Sequence, residues 1–313
     1  MRSPARLDSL AIRCSGAGWA GALGGARLVR YRQCFVGTGD VEEYYEANTK
    51  RFLRFGQGGT VGAIHRAVWG PGVRTRAEAF HYVHDRLLEL GSPQTLRVLD
   101  LGCGVGASLE YLAQHRDIRG VGVTISEAQV QLATQRFARA GLSTRLRCVR
   151  ADFTKLPAEV EPVDLAYGIE SFVHAPSPTP FFAEAARIVR SGGLLALCDD
   201  FASERVEAGE LPAREARWVR EFRTGWNVGS LVSPRSAQRL ADEHGFDLVQ
   251  DNDLTPDVEL RRPRDRVITA MVRLGRHIPT RNPWWLNMLG GNALQMALVR
   301  RLFTYRLLVW KKR

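Results

Sequence analysis

Lysine, paired cysteines and long apolar runs are what this sequence has least of. Of its 44 basic residues only four are lysine, and the net charge is +11. Such an excess ordinarily points to nucleic acid or an anionic surface as a partner. Here the arginines are spread along the whole chain, and no helix-turn-helix, RNP or zinc-finger pattern accompanies them, so nucleic acid is not an expected partner. The five cysteines are odd in number and form no CxxC spacing, which argues against a disulfide framework or a zinc site and suits a reducing cytoplasm. No run of about eighteen apolar residues occurs, so no integral membrane association is expected. The first residues also lack the uninterrupted apolar stretch of a secretory signal, and their Arg-rich, Gly/Ala-rich character over 1–40 reads as a disordered leader.

What is present suffices for a packed core: 313 residues, 45% of them hydrophobic. "VEEYYEANTKRFLRF" has acids early and bases late, as the helix dipole prefers. "RAEAFHYVHDRLLELG" has apolar residues at helical spacing and Gly91 as a carboxyl cap. Together 41–95 form an expected helical cap and substrate segment. From Leu96 short apolar strands alternate with helices, the signature of a parallel α/β sheet. Strands are predicted at "LRVLDLG", "RGVGVTI", "RLRCVRAD", "VDLAYGI", "LLALCDDF", "FDLVQDND" and "YRLLVWKK", with helices near Ala107 to His115, Ser126 to Ala140 and Pro180 to Val189. Ser126 with Gln129 three residues on reads as a capping box. The core thus runs over 96–313, interrupted by helical insertions near 203–230 and 258–302, where substrate lids sit in such folds.

The strongest motif is "VLDLGCGVGAS", Val98 to Ser108. A buried strand runs into Asp100, and Gly102, Gly104 and Gly106 then let the backbone turn tightly and approach a ligand before a helix begins. The Gly-Cys-Gly-Val-Gly spacing differs from GxGxxG, and an acid at the strand end suits a cationic amino-acid moiety better than a pyrophosphate.

With these residues the chain resembles the class I S-adenosylmethionine-dependent methyltransferases, from about Val41 to the carboxyl terminus. The resemblance implies an α/β fold: a doubly wound, mostly parallel seven-stranded Rossmann-like sheet with helical lid insertions. It also implies S-adenosyl-L-methionine as cofactor, with Asp100, Gly102, Cys103, Gly104 and Gly106 under its methionine part. At the end of the second strand Thr124 stands where most of the class has Asp or Glu, similar to the subgroup of cyclopropane-fatty-acid, sterol and tocopherol methyltransferases. Thr124 and Gln129 become candidate ribose and adenosine contacts, and Asp152 and Phe153 candidate adenine contacts. Taken singly, a strand-end Asp or Thr also serves as a turn former and Phe153 as plain core. The order and spacing of four such elements carry the reading.

The acceptor side rests on "LAYGIESFVHAP", Leu165 to Pro176, which puts a carboxylate, Glu170, at the end of an apolar strand. The segment is similar to that of sterol C-methyltransferases and of bacterial prenyl diphosphate C-methyltransferases, which methylate a carbon–carbon double bond. The alkene attacks the sulfonium methyl and leaves a carbocation that must lose a proton. A carboxylate both stabilises that charge and accepts the proton, which makes Glu170 the candidate base. Its alternative is to cap the next turn or pair with a nearby Arg. His174 is a second candidate, as base of an oxygen methyltransferase or as a hydrogen-bonded structural residue.

The amino-terminal segment resembles the entry segment of terpenoid C-methyltransferases. Tyr44 and Tyr45 occupy the place of a closing tyrosine pair. Asn48, Lys50, Arg51, Arg54, His65 and Arg66 form either a diphosphate cradle or the solvated face of a helix. Trp218, Phe222 and Trp226, at spacing of four, offer an aromatic lining for a hydrocarbon chain or the buried face of a lid. No DDxxD-like cluster is present, although "CDDF" supplies Asp199 and Asp200, so no protein metal site is expected and magnesium would arrive with a substrate diphosphate. The expectation is C-methylation of an alkene carbon of a geranyl diphosphate-like prenyl diphosphate. Alternatives are a scaffold-attached terpenoid chain or a sterol, or a small-molecule oxygen methyltransferase using His174. Homo-oligomerisation stays open.

Overall fold

The alternation of short apolar segments folds into a single sheet in the computed structural model, which describes residues 65–90, 96–275 and 282–313. The expected leader, Gly91 and the candidates Tyr44, Tyr45, Asn48, Lys50, Arg51 and Arg54 lie outside the described residues. The strands are β1 (Leu96–Leu101), β2 (Ile118–Thr124), β3 (Leu146–Arg150), β4 (Val163–Ile169), β5 (Val189–Ala202), β6 (Phe246–Asp253) and β7 (Phe303–Lys312), in the order β3-β2-β1-β4-β5-β7-β6. The first five pair in parallel, while β7 runs antiparallel between β5 and β6. This is the expected doubly wound, mostly parallel seven-stranded sheet.

Helices cover both faces, which is why β4 is buried over nearly its whole length instead of alternating. Val98, Leu165 and Tyr167 point into one core and Leu99, Leu101 and Ala166 into the other. The helices are α1 (Arg76–Glu89), α2 (Ala107–His115), α3 (Glu127–Arg139), α4 (Pro178–Ile188), α5 (Glu204–Glu207), α6 (Ala213–Trp226), α7 (Pro234–Glu243), α8 (Pro263–Gly275) and α9 (Pro283–Val299). Helix α1 begins with a reciprocal capping box between Thr75 and Glu78. At α3 the Ser126 hydroxyl accepts from the Gln129 amide, as an N-cap does. None of the helices among the described residues is long and apolar enough to cross a membrane.

The two insertions meet each other. Helix α6 buries Trp218, Val219 and Phe222 against Leu294 and Leu298 of α9 and Phe303 of β7. At their crossing Gly225 faces Gly290 so closely that a Cβ on Gly225 would stand 2.9 Å from the Gly290 Cα. Strand order reverses between β1 and β4, and in open α/β sheets the crevice beyond the carboxyl ends of such strands is where ligands sit. Asp100 and Glu170 lie on the two sides of that crevice, at the ends of β1 and β4.

Candidate active site

On the β1 side the turn after Leu101 is made by glycines in left-handed conformations, with φ of +98° at Gly102, +52° at Gly104 and +77° at Gly106. Such angles strain residues that carry a Cβ. The turn is pinned to β2, since the amides of Gly102 and Cys103 both donate to the Val123 carbonyl, at 3.0 and 2.9 Å. Room is the second reason for glycine: a Cβ on Gly102 would stand 2.5 Å from the Ser171 Cβ.

Asp100 is buried and accepts a hydrogen bond from the Tyr167 hydroxyl at 2.8 Å. Burial pushes its carboxyl up while the tyrosine bond pulls it down, and the result is about 7. Among the described residues no cation stands beside this acid, and a ligand carrying an ammonium group would supply one. Thr124 and Gln129, both buried, join each other at 2.6 Å through Thr124 Oγ1 and Gln129 Oε1. Asp152 accepts from the Thr154 amide and hydroxyl, at 2.8 and 2.7 Å, and Phe153 stands edge-on to Phe181. The structure therefore strings these candidates along the carboxyl rim of β1, β2 and β3. Glycine turn, strand-end acid and left-handed backbone together fit a ligand with a cationic amino-acid portion.

On the β4 side Glu170 is itself left-handed, with φ of +51°. Its amide donates to the Cys198 carbonyl at 2.8 Å. Its Oε1 accepts from the Arg66 amide at 2.8 Å, the Arg66 Nε at 3.0 Å and the Tyr305 hydroxyl at 3.0 Å. The same guanidinium makes a bidentate pair with Asp200, at 2.9 and 2.6 Å, and lies 4.1 Å from the centre of the Tyr305 ring. Burial pushes Glu170 up, but Arg66 and then His65 oppose it, and its carboxyl falls below the ordinary value. Asp200 stays raised by burial despite Arg66. Asp199 is raised well above the usual range by burial and by Asp200 beside it. One cation thus serves two carboxylates, and the third acid, Asp199, accepts instead from the Val173 and Asp200 amides, at 3.2 and 2.8 Å.

Arg66, one of the donors read as a diphosphate cradle, is engaged in this ion-pair network. His65 is also engaged: its Nδ1 lies 3.0 Å from the Arg66 carbonyl and its Nε2 lies 3.2 Å from His84 Nε2, which is 2.9 Å from the Ser108 hydroxyl. A ring N–H must face the carbonyl, and burial lowers the pKa of both histidines. His174 sits in the short turn Phe172–His174 with Nδ1 3.4 Å from the Asn227 carbonyl, and burial pushes it down as well. Trp218 and Phe222 are spent on the packing of α6, and Trp226 Nε1 donates to the Asn287 carbonyl at 3.1 Å. At spacing of four, Trp218 and Phe222 are buried and Trp226 partly buried in the packing of the lid, the second of the two readings given to this stripe. The role of Tyr305 is not legible in the sequence, because it needs the register of β7, which sets it opposite Asp200.

Residues 99–197 match the family model described as a methyltransferase domain. Cycloartenol-C-24-methyltransferase 1 of Oryza sativa subsp. japonica is 29% identical over 217 residues, 69% of this chain and 61% of that protein. Sterol 24-C-methyltransferase erg-4 of Neurospora crassa is 26% identical over 191 residues, 61% of this chain and 50% of that one. The chain thus spans between half and about three-fifths of the length of these relatives. Among solved structures, the cyclopropane synthase MmaA2 from Mycobacterium tuberculosis has a TM-score of 0.72 at 20% identity, covering 88% of this chain and 99% of that one. Geranyl diphosphate C-methyltransferase from Streptomyces coelicolor A3(2), in complex with Mg2+, geranyl diphosphate and S-adenosyl-L-homocysteine, has a TM-score of 0.59 at 17% identity, covering 86% and 98%. At these identities the structural likeness is one of fold.

Replacing Arg66 by Leu strands a buried carboxylate, Asp200, and a partly buried one, Glu170. Loss of one partner from a buried ion pair typically costs about 3–5 kcal/mol, and Asp200 is almost fully buried. Urea unfolding of Arg66→Leu is expected to show a loss of that size at neutral pH, partly recovered as pH falls and the carboxylates take up protons. An unchanged midpoint contradicts the role given to Arg66.

Proposed function

We propose that this chain, which carries a class I S-adenosylmethionine-dependent methyltransferase domain, methylates an alkene carbon of an isoprenoid, with Glu170 accepting the proton that ends the reaction. The observation that carries the proposal is a carboxylate, kept ionised by Arg66 and hydrogen-bonded by Tyr305, at the end of β4, next to the Ser171 that packs on Gly102 of the glycine turn.

When bound, S-adenosylmethionine supplies a methyl group on a cationic sulfur. The glycine turn would support its methionine part, Asp100 would face its ammonium group, and Thr124, Gln129, Asp152 and Phe153 would meet its nucleoside. Glu170 then has two tasks. As an anion it stabilises the carbocation that alkene methylation leaves on the substrate, and as a base it takes a proton from the neighbouring carbon so that a double bond is restored. A lowered pKa does not disqualify it, because a proton beside a carbocation is so acidic that a weak base suffices. Among the described residues every hydrogen bond to this carboxylate falls on Oε1, which leaves Oε2 as the oxygen for the proton.

The preferred acceptor is a prenyl diphosphate of the geranyl diphosphate kind, whose magnesium would enter with the diphosphate. Tyr44, Tyr45, Asn48, Arg51 and Arg54 remain its proposed contacts. The ion pairing of Arg66 is the observation that favours a second reading, a sterol or a scaffold-attached terpenoid chain, because it withdraws one cation from a diphosphate cradle. The sterol methyltransferase relatives support that reading too. Incubation with labelled cofactor and a panel of prenyl diphosphates, the corresponding alcohols and sterols, with and without magnesium, separates the two. Methylated diphosphate formed only with magnesium is expected, and methylated sterol alone would replace it with the second reading.

Glu170→Gln keeps the shape and removes the base. It is expected to lower kcat by about two to four orders of magnitude, or to release a misquenched product, with cofactor affinity retained. Nearly full activity would instead move the base to His174 and the reaction toward oxygen methylation.

Cofactor affinity should follow Asp100. A cation favours its carboxylate form, so affinity for S-adenosylhomocysteine is full above pH of about 7 and weakens below it, by up to about tenfold per pH unit. Calorimetric titration between pH 5.5 and 8.5 reads this slope, and Asp100→Asn is expected to abolish it. A slope shared by wild type and Asp100→Asn would remove Asp100 from the contact.

A further inference from the structure

The cysteines lack a CxxC spacing, yet the sheet brings two of them together. Cys103, within the glycine turn, and Cys148, on β3, have their sulfurs 3.5 Å apart although 45 residues separate them. Gly122 makes the room. It lies on β2 in register with Cys148, and a Cβ there would stand 2.7 Å from the Cys103 sulfur. Both side chains are free thiols, Cys103 buried and Cys148 partly exposed. No step proposed for methyl transfer uses either sulfur.

We propose that Cys103 and Cys148 form a reversible oxidation site that peroxide closes to a disulfide, and that closure takes the glycine turn out of its ligand-binding shape. The Cys148 thiolate, the more accessible, attacks a peroxide oxygen: an S–O bond forms, the O–O bond breaks, and water leaves after taking up a proton. The Cys103 sulfur then attacks the Cys148 sulfur. The S–S bond forms, the S–O bond breaks, and a second water carries away the thiol proton. Two thiols have been oxidised and one peroxide reduced.

A disulfide requires its sulfurs at about 2.05 Å, so the pair must close by a further ~1.5 Å. Cys148 is held in the ladder between β2 and β3, whereas Cys103 stands between two left-handed glycines, Gly102 and Gly104. Closure therefore pulls on the turn against the bonds from the Gly102 and Cys103 amides to the Val123 carbonyl, and strains it toward β3. The consequence for binding rests on the turn being the cofactor cradle; bond formation does not.

The test treats the full chain with hydrogen peroxide, blocks remaining thiols under denaturing conditions and maps the peptides, while titration with S-adenosylhomocysteine follows binding. A Cys103–Cys148 linked peptide is expected, with affinity lowered about tenfold or more and both reversed by dithiothreitol. Cys148→Ser, which removes no proposed contact, is expected to bind as the reduced wild type does and to keep that affinity in peroxide. Oxidation of Cys148 to sulfinic acid without the linked peptide overturns the proposal, as does a linked peptide with undiminished affinity. If the reduced protein itself does not bind S-adenosylhomocysteine, the cofactor reading falls and the turn's role with it, while the linked peptide still decides whether the thiols are an oxidation site.

Discussion

A single guanidinium holds the acceptor side of this crevice together. Arg66 reaches Glu170 after β4 and Asp200 on β5, and it lies over the Tyr305 ring on β7. Buried carboxylates are costly unless paired and hydrogen-bonded, and two of them, Asp199 and Asp200, meet here with the partly buried Glu170. Arg66 keeps Glu170 an anion and offsets part of the cost at Asp200, while Asp199, raised by burial, accepts from the Val173 and Asp200 amides. The segment that carries Arg66 is itself anchored, with Val68 bridged to Val258 and the Trp69 amide donating to the Asp257 carbonyl at 2.7 Å. The cation is therefore delivered by backbone structure rather than by a loose side chain.

The two halves of the site are coupled through Ser171. Its hydroxyl donates to the Leu101 carbonyl at the end of β1, and its Cβ fills the space that Gly102 leaves open. Glu170, the preceding residue, takes a left-handed conformation that costs roughly 1–2 kcal/mol in a residue with a Cβ, and the bond from its amide to Cys198 holds it there. A strained backbone fixed on both sides sets the distance between carboxylate and glycine turn. The proposed proton transfer from a short-lived cation to this carboxylate depends on such fixed placement. The charge logic of the two strand ends is opposite: Asp100, with a pKa raised to about 7, has no cation beside it among the described residues, while Glu170 already has one.

The features legible in the sequence were those written in local pattern. The seven strands, the helix over Ala107–His115 and the acid-then-glycine turn follow from apolar alternation and from the conformational freedom of glycine, both properties of neighbouring residues. Strand order places Asp100 and Glu170 on facing ends, which the βα alternation foreshadows. Roles that depend on register or on contacts distant in sequence were not legible. Arg66 reads as one basic residue among several; only the folded sheet, 104 and 134 residues further on, gives it its acids. Tyr305 and the Cys103–Cys148 contact are hidden for the same reason. Trp218, Phe222 and Trp226 show the converse, since a helical stripe of aromatics looks the same in sequence whether it lines a cavity or packs against a second helix, as it does against α9.

The central claim is that Glu170 rests as an anion fixed by Arg66 and Tyr305. It is tested most directly by titrating the carboxyl carbon of Glu170 by NMR in glutamate-labelled protein saturated with S-adenosylhomocysteine, the signal being assigned by its loss in Glu170→Gln. The account predicts a midpoint below the ordinary glutamate value of about 4.3, displaced upward when Arg66 is removed. A midpoint near or above neutrality, or one indifferent to Arg66, would contradict it.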